Sequence, residues 1–79
     1  MTPNIGKCGP FRFYFYSHEP NEPPHVHVDR ENCSAKFWLK PVSLAANIGF
    51  NAAELKKIEK IVISNQNDFL EAWYEFFGS

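Results

Sequence analysis

The chain has 79 residues, room for one small domain and no more. A domain of about this size buries only roughly 60% of the surface its unfolded chain exposes, and eight Phe, three Tyr and two Trp supply the apolar area so small a core needs. A formal net charge of -1 excludes the global basic field of a dedicated nucleic-acid binder, so any such contact must rest on a local patch.

Residues 1–10, with Pro3, Gly6, Lys7, Gly9 and Pro10, lack the apolar run of a signal peptide and read as a loose N-terminal lead-in. No apolar stretch approaches the ~20 residues that span a bilayer. Cys8 and Cys33 have neither a second Cys nor a His at zinc-ligand spacing, and both read as reduced thiols. The expectation is a soluble cytoplasmic protein with a single domain over 11–79.

Strand signals begin after Pro10, where Phe11, Phe13 and Phe15 alternate with Arg12, Tyr14 and Tyr16. Prolines, Asn21 and two Glu make Ser17–Pro24 a loop. A second strand is expected over His25–Arg30, with Val26 and Val28 on one side and His25, His27 and Asp29 on the other. Arg30–Asn32 reads as a turn, and Cys33–Lys40 as a third strand with Ala35, Phe37 and Leu39 opposite Lys36, Trp38 and Lys40. Pro41 interrupts it, and Val42–Ala46 suits a short fourth strand.

Helical patterning follows. Asn51 is a good N-cap with Glu54 three residues on, and Phe50 and Leu55 suit a hydrophobic staple. Leu55, Ile58, Ile61 and Val62 form an apolar stripe, Asn65-Gln66-Asn67 a break, and Leu70, Trp73, Tyr74 and Phe77 a second stripe ending at the cap Gly78. The predicted fold is α+β: a small antiparallel sheet of three to four strands with two C-terminal helices on one face.

The other face of that sheet would carry Arg12, Tyr14, Tyr16, His25, His27, Asp29, Lys36, Trp38 and Lys40. With the turn at Arg30–Asn32, a symmetric register puts His27 near Lys36 and His25 near Trp38, and a slip by one residue would turn the core positions outward. Aromatic bulk that covers the sheet, or packs on the N-terminal segment or a partner, is the simplest explanation of this composition. Three sharper readings stand beside it. Aromatics and cations of one face can bind single-stranded RNA, with Arg12, Tyr14, Tyr16, Trp38 and Lys40 as contacts. His25 and His27, about 6.5–7 Å apart on a strand, can act as general base and acid in metal-free RNA cleavage, with Lys36 stabilising the developing charge. The same imidazoles can chelate a metal with help from His18, Glu19, Glu22 or Asp29, but this reading ranks last and no cofactor is expected.

Phe13-Tyr14-Phe15-Tyr16-Ser17, the run Glu22-Pro23-Pro24-His25-Val26-His27-Val28, Ala35-Lys36-Phe37-Trp38-Leu39, Gly49 before Glu54-Leu55, and the closing Trp73 together resemble the bacterial domain-of-unknown-function 4160 family from about Phe11 to Gly78. The resemblance implies a stand-alone protein of about this length. It also implies a neighbouring gene of the domain-of-unknown-function 2442 family, the two forming a type II toxin–antitoxin pair. It carries no catalytic residues. The leading expectation is thus a component, on the toxin side, of such a pair, acting on RNA or nucleic acid through the His/aromatic face, with metal-independent RNA cleavage as one form that action can take. The alternative is a non-enzymatic module that binds its partner through that face. The expected partners are the antitoxin-like protein and RNA, with a homodimer also open and no membrane.

Overall fold

In the computed structural model, which describes residues 4–8 (backbone only), 10–16 and 21–78, an antiparallel sheet of five strands runs in sequence order. These are β1 (Asn4–Cys8), β2 (Phe11–Tyr14), β3 (His25–Arg30), β4 (Cys33–Leu39) and β5 (Val42–Ile48); α1 (Ala52–Ser64) and α2 (Gln66–Phe77) follow. The α+β architecture is the expected one. The sheet is wider at one edge, because Asn4–Cys8, inside the segment read as a loose lead-in, pairs with β2. Its Gly6 and the irregular register between Asn4 and Gly6 give it no alternation to read, and backbone pairing with β2 makes it a strand. Of the loop expected over Ser17–Pro24, residues 17–20 lie outside the described ones.

Local chemistry accounts for the connections. Glu31, with φ 53, provides the left-handed residue of the β3–β4 turn. Lys40 and Pro41 form the next turn across a cis peptide bond. The strand after it runs past the expected Ala46 to Ile48, with a shift between Lys36 and Phe37 that leaves Ala45 unopposed. Gly49 then takes φ 94, a backbone conformation that favours glycine, and a Cβ there would press on Cys33 Sγ at 3.1 Å. Cys33 is a free thiol.

The core matches the period-two pattern closely. Phe11, Phe13, Phe15, Val26, Val28, Ala35, Phe37 and Leu39 are all buried. Ile58 and Val62 of α1 and Trp73 of α2 cover them, with Leu55, Ile61 and Leu70 partly buried at the margin. Asn51 and Glu54 close a full capping box. The break between the helices is shorter than the expected Asn65-Gln66-Asn67: Asn65 ends α1 and α2 starts at Gln66, whose Nε2 donates to the Leu39 carbonyl at 2.6 Å. That start turns Phe69 into the core, 5.4 Å from the Phe13 ring, and leaves Tyr74 exposed. Gly78 caps α2 in the left-handed conformation. Among the described residues no helix is long and apolar enough to cross a membrane.

Candidate functional site

The face of β2, β3 and β4 that points away from the helices carries the predicted residues other than Lys40, and β3 pairs with β4 in the predicted register. His25 lies opposite Trp38, and His27 opposite Lys36 on one side and Tyr14 on the other. The antiparallel pairing that buries Val26, Val28 and Phe37 forces this, since opposed residues share a face. The His27 ring stacks on Tyr14 at 5.5 Å and meets Tyr16 edge-on at 4.6 Å and His25 edge-on at 5.2 Å. His25 in turn meets Trp38 edge-on at 5.7 Å. One aromatic cluster therefore links Tyr14, Tyr16, His25, His27 and Trp38.

The residues of this face are not equally exposed. His25 is fully buried and Tyr14 is 6% exposed, while Tyr16, His27, Lys36 and Trp38 are half-buried. The residue that alternation could not reveal is Trp73. It comes from α2 to the start of β3 and lies 4.8 Å from the His25 ring, closing it from solvent. His25 Nδ1 is 2.9 Å from the Pro23 carbonyl, which can only accept, so Nδ1 holds a proton. The bond anchors the ring to the proline pair that precedes the strand.

The charges of this face are matched from within. Arg12 reaches Asp29 at 3.5 Å and lies 5.3 Å from the Tyr14 ring centre. Tyr14 donates its hydroxyl to both Asp29 oxygens, at 3.0 and 3.1 Å. Burial above all, and then hydrogen bonds with Tyr16 and Asp29 and the Asp29 charge, hold this phenol well above its ordinary pKa of 10.0. It is a donor, not a base. Lys36 meets Glu22 at 2.5 Å and lies over the Trp38 ring at 4.6 Å. Lys40 is exposed in the turn beyond β4, apart from the cluster.

His18 and Glu19, two of the metal-ligand candidates, lie outside the described residues. Among the described ones no group of three or more His, Cys, Asp or Glu converges on a common point. Glu22 and Asp29 instead serve Lys36 and the Arg12–Tyr14 pair.

Comparison with known proteins places the chain in one family. Residues 11–74 match the family model of a domain of unknown function, DUF4160, and the chain belongs to that family. No curated protein and no solved structure matches it significantly.

Proposed function

We propose that this DUF4160 chain is the partner-binding component of a two-protein, toxin–antitoxin-like pair, and that the surface formed by His27, Lys36 and Trp38 receives the partner. The observation that carries this reading is the internal neutralisation of the face: Arg12 is paired with Asp29 and Lys36 with Glu22. RNA affinity comes mainly from cations that neutralise phosphates, and cations already engaged offer less of it. A half-buried Trp38, held between Lys36 and His25, is a rigid aromatic anchor of the kind that dominates protein interfaces. The family resemblance suggests a DUF2442-type protein as the partner. Calorimetric titration of that protein tests the idea. Trp38→Ala is expected to weaken binding by about 2 kcal/mol with the fold unchanged; no binding by the wild-type chain would sink the proposal.

A second reading, action on RNA, is favoured by one observation: half-buried His27 stands opposite Lys36 in the register. In that reading His27 handles the proton, Lys36 stabilises charge on the phosphate, and enclosed His25 positions the His27 ring rather than touching substrate. Growth and total RNA are compared after induction of wild type and His27→Ala. RNA loss confined to the wild type supports a ribonuclease, and unaffected growth in both removes it.

A further inference from the structure

The sheet has two edges, β1 and β5, and each has an irregular register. β5 carries no charged residue to discourage pairing with another chain: Val42–Ile48 reads VSLAANI. As the last strand it presents an edge that no described strand covers. Each of its faces also exposes a large apolar side chain. Leu44, opposite Phe37, points to the helix side and is 45% exposed; Ile48, opposite Ser34, points to the other side and is 69% exposed.

Beside this edge lies a shallow groove of about 240 Å³, lined by Phe37, Leu44, Ala52, Leu55, Lys56 and Glu59. Lys56 and Glu59 stand three residues apart on α1 and so share a helix face. Neither has an ion-pair partner among the described residues.

We propose that β5 pairs antiparallel with β5 of a second copy of this chain, joining the two sheets into one. Charge selects this occupant. An uncharged strand meets its own copy without repulsion, and a net charge of -1 adds almost none at long range. A two-fold axis perpendicular to the sheet maps helix face onto helix face, so α1 approaches α1 of the copy above the new pair. Lys56 of each copy then faces Glu59 of the other, a self-complementary arrangement. Leu44 gains an apolar neighbour over the groove, and Ile48 one on the opposite face. This surface is separate from the His27 face, and the inference does not depend on the function proposed for it.

Sedimentation velocity of the full chain from micromolar to millimolar concentration is the test. The wild type is expected to shift from monomer to dimer. Leu44→Lys and Ile48→Lys each place like charges across the axis and should raise the dissociation constant by about tenfold or more. Both positions are exposed, and circular dichroism confirms that the variants fold. Lys56→Glu alone should weaken the dimer, and the double variant Lys56→Glu/Glu59→Lys should restore it. A monomer at every concentration overturns the proposal, including a monomer whose β5 binds a different protein. So does a dimer indifferent to Leu44→Lys and Ile48→Lys, or a double variant that fails to regain what the single one lost.

Discussion

Tyr14 shows how much a single side chain on this face does for the fold. Its hydroxyl bridges β2 to Asp29 of β3, and its ring supports His27. The phenol's raised pKa makes a signed prediction. Below pH 10 both folded and unfolded chains keep the proton, and the stabilisation is complete. Above pH 10 the unfolded chain loses the proton first, so stability should fall by up to about 1.4 kcal/mol per pH unit from this group. Tyr14→Phe should cost about 1–3 kcal/mol at neutral pH, since Asp29 keeps only the long contact from Arg12, and should remove that alkaline slope. Urea unfolding of both proteins on either side of pH 10 measures it; equal slopes would mean that Tyr14 titrates normally. The residues of this face were readable in the alternation, but their exposure was not. His25 and Trp38 stand opposite each other in the strands, yet only His25 has Trp73 above it.

At the level of elements, α1 is specified locally and α2 is not. The capping box at Asn51 and Glu54 is short-range chemistry, visible in a few residues. Glu54 has a second task, an ion pair with Arg30 of β3, whose Nε is buried without an acceptor. Asn51→Ala is therefore expected to cost about 1 kcal/mol. Glu54→Ala should cost more, about 1–3 kcal/mol, because it also removes the closer carboxylate of a part-buried guanidinium and leaves it only the exposed Glu31 at 3.4 Å. Denaturant midpoints of the two variants decide this, and equal losses would assign the Arg30 pair no net contribution. By contrast, the start of α2 follows from long-range contacts: Gln66 bonds the Leu39 carbonyl, and Phe69 packs on Phe13. The Asn-Gln-Asn run signals a break without saying at which residue it ends. The first strand is a similar case, a poor strand former recruited by its neighbour's backbone.

For the molecule as a whole, Trp73 is the joint between the helical layer and the end of the sheet. It lies 5.4 Å from Phe15, 4.2 Å from Phe77 and 4.8 Å from His25. Trp73→Ala should cost about 3–5 kcal/mol, a large share of the roughly 5–15 kcal/mol that stabilises a domain. It should also open His25. Labelling with diethylpyrocarbonate, located by mass spectrometry, should modify His27 before His25 in the wild type and both together in the variant. Early modification of His25 in the wild type would contradict its enclosure.

The period-two alternation by itself determined which residues of β2, β3 and β4 share a face and, with the turn at Arg30–Asn32, the register of β3 against β4, because a slip would turn Val26, Val28 and Phe37 out of the core. The apolar stripes and caps likewise determined that two helices close the opposite side. Only the tertiary structure decided what lies above the His25–His27 face. Alternation places a side chain on one side of a sheet but says nothing of what packs over it. There, α2 brings Trp73 down on His25 and leaves His27 within reach of solvent.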